Sequence, residues 1–296
     1  MTQDRITTLK IGDIVAGYRI DGVLGSGGMG QVYLARDTQL HRSVAIKLVD
    51  PRRQSAQELV REARLAASLD HPAICTIHGV DFLGEEPFLV MEHVKGIPLS
   101  KVIRSRRSVS VPTALDFARQ IVGGVSHAHG RGVVHGDLKA SNIMVGPDGR
   151  VTILDFGLAV RRDGVVAGEE VETTRPSPSS GAAGTVPYMA PENIRGQQPT
   201  VQSDIWALGV LLFEMIAGRR PFAGNTPYEL ASNILVNHRT RMESLVQGPI
   251  REVVDRCLCI EPAGRYQSAR ELGAALKPLR RRKRPAMVEN HDGLSV

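Results

Sequence analysis

The feature that most constrains this chain is a change of hydrophobic period near residue 95. Before it, YRIDGVL, QVYLARD and SVAIKLV alternate apolar and polar residues between Tyr18 and Val49, separated by glycines or by the polar TQLHR. Alternation puts every second side chain on one face and predicts a meander of half-buried antiparallel strands. CTIHGVDFL and EEPFLVMEHV bring the number to five, with a turn at Gly84 to Pro87 between the last two. One segment breaks the rhythm: SAQELVREARLAASL, Ser55 to Leu69, has leucines and alanines three or four apart and predicts an amphipathic helix, closed off by Pro72. After Gly96, VPTALDFARQIVGGVSHAHG and SDIWALGVLLFEMIAG carry helical spacing. The predicted class is α+β, a small five-stranded antiparallel sheet with one helix followed by a larger helical unit.

A chain of 296 residues with 42% hydrophobic content can bury a core as one large domain or two modest lobes. Its longest apolar run, IWALGVLLF from Ile205 to Phe213, is followed by Glu214 and falls far short of the roughly 20 residues a membrane span needs, so it predicts a buried helix. MTQDRITTLK at the N-terminus has no apolar stretch of signal-peptide length, and the cytoplasm is the expected location. Cys75, Cys257 and Cys259 include a C-x-C pair with no second pair to complete a zinc site, and buried free thiols are expected. The net charge of +6 has a local source in RRRKR, Arg280 to Arg284. This run could meet nucleic acid or an anionic membrane. A solvated basic and polar tail over residues 280–296 is the expectation, with no nucleic-acid partner. The Ser, Thr, Pro and Gly content of Arg161 to Gly184 argues for a long loop, and such loops in compact domains usually carry function.

Within this frame, LGSGGMGQV places Gly25, Gly27 and Gly30 in a G-x-G-x-x-G spacing. A dinucleotide site would need a helix directly afterwards, whereas QVYLARD alternates like a strand. The alternative is a glycine-rich hairpin whose backbone amides can approach phosphate, with Val32 available to cover a base. VAIK follows, and Lys47 at its end needs a carboxylate if it faces inward; Glu62 in the predicted helix is favoured, with Glu58 one turn earlier as its competitor. VVHGDLKASNIMV then sets Asp137, Lys139 and Asn142 within six residues, and ILDFG adds Asp155 thirteen residues after Asn142. Asn142 and Asp155 offer oxygen donors suited to magnesium, a hard cation that shares its sphere with substrate phosphates. Asp137 remains to accept a hydroxyl proton. Asp, Asn and Gly also make ordinary polar turns, but turns alone do not account for all of these spacings at once.

In the order GSGGMGQV, VAIK, REA, HGDLKASN, DFG, GTVPYMAPE and SDIWALGV, the sequence resembles a eukaryotic-like bacterial serine/threonine protein kinase over residues 12–279. The resemblance implies a bilobal protein kinase fold, with a sheet-rich lobe over about 12–94 and a helical lobe over about 97–279. It implies ATP and Mg2+ as cofactors, with Leu24, Gly25, Gly27, Gly30, Val32 and Ala45 around the nucleotide. Adenine would bond to backbone near Glu92 and Val94, and Met91 would guard the rear pocket. Lys47 would bond phosphates and pair with Glu62; Asn142 and Asp155 would bind magnesium; Asp137 would orient or deprotonate the substrate hydroxyl; Lys139 would stabilise the moving phosphoryl group. Serine and threonine acceptors on protein substrates are implied, including a second copy of the chain as an autophosphorylation partner. Thr185 would link the substrate loop to Asp137 and Lys139, buried Asp204 would steady the catalytic loop, and Glu192 would pair with Arg265. A turn threonine, a helix cap and a surface ion pair are the plainer readings of those three.

Gly136 departs from the pattern, since many kinases carry arginine before the catalytic aspartate to bind a phosphorylated loop residue. Phosphoryl transfer needs no side chain there, but that switch does. Thr173 and Thr174 also stand beside Glu169, Glu170 and Glu172, which disfavour added phosphate charge. Two rival functions are a pseudokinase that only binds nucleotide or partners, and a kinase acting on small molecules.

Overall fold

The computed structural model describes residues 8–27, 30–49, 55–106, 108–155, 160–161, 186–239 and 246–281. Thr173, Thr174, Thr185, Phe156 and Gly157, together with residues 282–296, lie outside them. Strands β1 (Ile14–Val15), β2 (Tyr18–Gly27), β3 (Gly30–Asp37), β4 (Ser43–Val49), β5 (Ile77–Leu83) and β6 (Glu86–Glu92) form an antiparallel sheet in the order β1-β2-β3-β4-β6-β5. Five of these are the strands the alternation predicts. The sixth, β1, is two residues long and too short to display a period. It pairs with Tyr18 and Arg19 through Ala16 and Gly17, both at positive φ, the backbone of tight hairpin turns. The β5–β6 turn is shorter than expected, Gly84 and Glu85 only, and Pro87 already lies in β6. Pro87 stands beyond the last pair with β4, so its missing N–H breaks no ladder bond there.

Helix α1 (Ala56–Ala67) starts at Ser55, whose hydroxyl accepts from the Glu58 N–H while the Glu58 carboxylate accepts from the Ser55 N–H. This capping box engages Glu58 at the helix end. Glu62 sits instead on the buried face with Leu59, Ala63 and Ala66. The strand period sorts β4 in the same way: Val44, Ile46 and Leu48 pack with Ile20, Tyr33, Phe88 and Val90 on one face. Ala45 points to the other and joins Leu59, Ala63, Cys75, Leu89 and Met91 against α1. Lys47, two residues after Ala45, therefore faces α1 as well.

The helical unit begins with β7 (Ile97–Pro98), α2 (Leu99–Arg106) and α3 (Val111–Gly130). Short strands β8 (Val133–Val134), β9 (Ile143–Val145), β10 (Val151–Ile153) and β11 (Val160–Arg161) follow, then α4 (Pro191–Ile194), α5 (Val201–Ala217), α6 (Pro227–Leu235), α7 (Pro249–Cys257) and α8 (Ala269–Leu276). From Ile205 to Phe213 helix α5 is apolar on all sides and is buried accordingly, with Ile205, Trp206, Val210 and Phe213 inaccessible. It packs against α3 and α7 at the centre of the core. The free thiols Cys75 and Cys257 are buried as expected, whereas Cys259 is half-buried in the turn after α7. Among the described residues no helix is long and apolar enough to cross a membrane.

Candidate active site

The β9–β10 hairpin is what gathers the polar residues of the central loop. Antiparallel pairing of Ile143 with Ile153 puts Asn142 beside Leu154, whose N–H donates to the Asn142 carbonyl at 2.7 Å. Asn142 and Asp155 thus become neighbours despite the residues between them. Asp137 is buried, and its Oδ2 accepts from Lys139 Nζ at 2.6 Å and from Asn142 Nδ2 at 3.2 Å. The same amide nitrogen donates to the Asp137 carbonyl at 3.1 Å. Asn142 is thereby oriented with Oδ1 away from Asp137, where among the described residues the one side-chain donor is Ser141 Oγ at 3.4 Å. Asp137 Oδ1 is buried, and among the described residues it has no hydrogen-bond partner. A buried carboxylate oxygen without a donor is costly and calls for a ligand group or water.

Lys47 is buried and lies between two carboxylates, 2.8 Å from Asp155 Oδ1 and 4.0 Å from Glu62 Oε1. Burial pushes its ammonium pKa down, but attraction from Asp155 and then Glu62 outweighs this and leaves it raised. Burial likewise pushes the Asp155 carboxyl up, and the Lys47 charge more than reverses the effect, holding it below the ordinary aspartate value. Both groups are therefore charged at neutral pH. Asp155 also occupies the left-handed region, with φ 51°.

Above these groups, Val32, Val94 and Leu154 pack on the cluster of Ala45, Cys75, Leu89 and Met91, forming an apolar wall suited to a planar ring. Glu92 is exposed at its side chain, and its N–H donates to the Thr76 carbonyl at 2.9 Å. Leu24 stands exposed at an irregularity in the β2–β3 pairing and does not join the wall. Gly27 and Gly30 pair across the β2–β3 hairpin, so the glycines open a strand and not a helix. Gly30, at φ 138°, could carry no side chain, because a Cβ would lie 1.9 Å from the Leu48 carbonyl oxygen. A Cβ on Gly25 would meet no protein atom within 4 Å, so its bare backbone leaves room for an approaching group.

The protein kinase domain model matches residues 18–274. The chain belongs to this family. It is 34% identical over 280 residues to the serine/threonine-protein kinase PrkC of Bacillus subtilis, covering 91% of this chain and 41% of PrkC. To PknA of Mycobacterium tuberculosis it is 32% identical over 286 residues, covering 93% of this chain and 64% of PknA. To PknB of the same species it is 33% identical over 271 residues, covering 88% of this chain and 42% of PknB. The chain thus spans from under half to just under two thirds of the length of these relatives.

In this kinase domain the loop that carries Asp137, Lys139 and Asn142 hangs on Asp204. Its Oδ2 accepts from the His135 N–H and its Oδ1 from the Gly136 N–H, both at 2.9 Å. The ring of His129, at the end of α3, meets Oδ2 at 2.8 Å. His135 completes the brace: its Nδ1 accepts from the Asp137 N–H at 3.2 Å, which leaves Nε2 to donate to the Leu154 carbonyl at 3.2 Å. Sequence reasoning assigned no role to His129, His135 or Leu154; the histidines of HAHG and VVHGD were the available signal. Gly136 has φ 75°, so the backbone here adopts a conformation that costs an ordinary L-residue about 1–2 kcal/mol.

Proposed function

We propose that the chain is an ATP- and Mg2+-dependent protein serine/threonine kinase of bacterial signalling, acting in the cytoplasm, with its catalytic domain over residues 12–279. The observation that carries this reading is the buried, unpartnered Asp137 Oδ1 beside a carboxylate oxygen already held by Lys139 and Asn142. One oxygen is fixed by donors, and the other is left for an acceptor hydroxyl.

When bound, ATP supplies the phosphoryl group and magnesium neutralises charge on its phosphates. Asn142 Oδ1 and the Asp155 carboxylate suit the metal because both are hard oxygen donors and Asp155 is ionised. Lys47 donates to phosphate oxygens while Glu62 keeps it in place. Asp137 would align the serine or threonine hydroxyl through Oδ1 and take up its proton as the new O–P bond forms and the bond to the departing ADP breaks. Lys139, already beside Asp137, supplies positive charge where negative charge develops. Val32, Ala45, Met91 and Val94 exclude water from the base.

The test is magnesium-dependent transfer of labelled phosphate from ATP to a generic protein substrate, with phosphoamino-acid analysis. Label on serine or threonine supports the proposal. Nucleotide binding without transfer would mark a pseudokinase, and label only on small molecules would place the chain in a different branch.

Gly136 leads to a second expected result. No arginine precedes Asp137, so phosphate on Thr173 or Thr174 lacks that charge-assisted partner in the catalytic loop. Initial rates on an exogenous peptide are expected to stay within about threefold for wild type, phosphatase-treated wild type and the Thr173→Ala/Thr174→Ala variant. A fall of about a hundredfold, equivalent to roughly 2.7 kcal/mol of barrier, would show that another basic group replaces the missing arginine.

A further inference from the structure

We propose that Tyr33 is a positioning residue for the nucleotide: its hydroxyl ties the N-terminal segment at Leu9 to Gln31 and so holds the glycine-rich β2–β3 hairpin in the form that receives phosphate. The inference rests on the kinase reading above and adds to it a residue that touches neither ATP nor acceptor. Alternation along β3 decides this placement. Val32 packs on the apolar wall with Ala45, Leu89 and Met91, whereas Tyr33, the next residue, lies in the cluster on the opposite face with Ile20, Ile46, Leu48 and Phe88.

The hairpin has little of its own to fix its shape. Gly22, Gly25 and Gly27 stand in β2, and glycine loses more backbone freedom on ordering than any other residue. The β2–β3 ladder also slips twice, between Ile20 and Gly22 and between Val23 and Gly25, which leaves Asp21 and Leu24 out of the pairing. Val23 through Ser26 are exposed, so side-chain packing does not hold that strand either. What steadies the hairpin must therefore come through β3, where Gln31 pairs with Ser26 next to the Gly27–Gly30 pair.

Tyr33 supplies that support. It is fully buried; its hydroxyl accepts from the Leu9 N–H at 3.1 Å and donates to Gln31 Oε1. A phenol has one proton to give, so the bonds run in one direction, from the Leu9 amide through Tyr33 to Gln31. Gln31 stands on the same face of β3, two residues nearer the glycines. The Leu9 end is anchored in turn. Its side chain joins the Tyr33 cluster, and the Lys10 N–H donates to the Asp13 carboxylate at 2.8 Å. The Gly12 N–H donates to the Ile20 carbonyl and the Ile20 N–H to the Asp13 carbonyl, both at 2.8 Å. The N-terminal segment is thus stitched to the hairpin at Ile20 and meets it again at Tyr33, which pairs with Val23 further toward the glycines. An apolar ring would fill the same space; the hydroxyl between a backbone donor and a side-chain acceptor is what packing alone does not require.

Tyr33→Phe keeps the ring and deletes the hydroxyl. Titration calorimetry is expected to show its Kd for magnesium-ATP raised about threefold to tenfold, the size of one net hydrogen bond. KM for ATP should rise in parallel while kcat stays within about twofold, because the interaction lost is made equally in ground and transition states. Gln31→Met cuts the other end of the same chain and should weaken magnesium-ATP similarly. The double variant should be no weaker than Tyr33→Phe alone, since both changes break one connection. Adenosine, which presents no phosphate to the glycine-rich hairpin, should bind wild type and variants alike. Equal magnesium-ATP affinity in wild type and both single variants overturns the proposal. So does a loss shared by adenosine, which reduces Tyr33 to a core-packing residue, and so do additive losses in the double variant. If wild type binds no magnesium-ATP at all, the kinase reading fails and takes this inference with it, whereas normal wild-type binding that the variants leave unchanged sinks the inference alone.

Discussion

Asp137→Asn is expected to lower turnover by roughly 10²- to 10⁴-fold, the span of a positioned acid or base, while leaving magnesium-nucleotide affinity close to wild type. The substituted amide keeps the shape of the carboxylate but has lost the basicity that Oδ1 offers an acceptor. Asp155→Asn should separate from it cleanly. Asparagine tolerates the left-handed backbone that Asp155 adopts at φ 51°, so the fold is retained and only the charge is removed. That charge is the nearest partner of Lys47, at 2.8 Å, and one of two oxygen donors suited to magnesium. Calorimetry of ATP with magnesium should show weakened binding in this variant together with lost turnover. Equal loss of binding in both variants would sink the division of roles between the two aspartates.

Arg265→Ala is expected to cost about 3–5 kcal/mol of stability, the usual result of breaking a buried ion pair from one side. Arg265 is fully buried; its Nη1 and Nη2 donate to the two Glu192 carboxylate oxygens at 2.7 and 2.8 Å. Its remaining bonds go to the Cys259, Gln202 and Ile260 carbonyls, and the guanidinium lies 5.0 Å from the Trp206 ring. Removing it leaves Glu192 with one side-chain donor among the described residues, the Ser203 hydroxyl at 3.1 Å, and frees three half-buried carbonyls. Urea unfolding should show the loss, and Glu192→Ala added to Arg265→Ala should restore part of it. A deficit below about 1 kcal/mol in the single variant would contradict the buried-pair account.

The same pair has a pH signature. Burial pushes the Glu192 carboxyl up, and Arg265 more than offsets this, so its folded pKa lies below the ordinary value. A depressed carboxylate contributes stability above its unfolded pKa, about 4.3, and loses it as pH falls through the lower folded value. The gap between wild type and Arg265→Ala should therefore narrow on acidification below about pH 4.

By itself the sequence determined the α+β class, five strands of the large sheet, the helices α1, α3 and α5, and the cluster around Asp137. It did so because period, capping residues and short motifs are local: the six residues from Asp137 to Asn142 share one loop, and the β4 alternation aims Lys47 at α1. What tertiary structure decided is long-range. Glu62 was favoured over Glu58 in the sequence, but only the folded helix separates them outright: the capping box engages Glu58 and the buried face of α1 receives Glu62. The nearer position of Asp155 to Lys47, 108 residues apart, depends on the β9–β10 hairpin and the sheet meeting at one cleft. The support of His129 for Asp204 spans 75 residues, and its partner is invisible to any local pattern. Burial turned Glu192 and Arg265 from possible surface charges into a fixed pair, because a charge taken out of water keeps its ionised form only where another element brings the opposite charge and the remaining donors and acceptors to meet it.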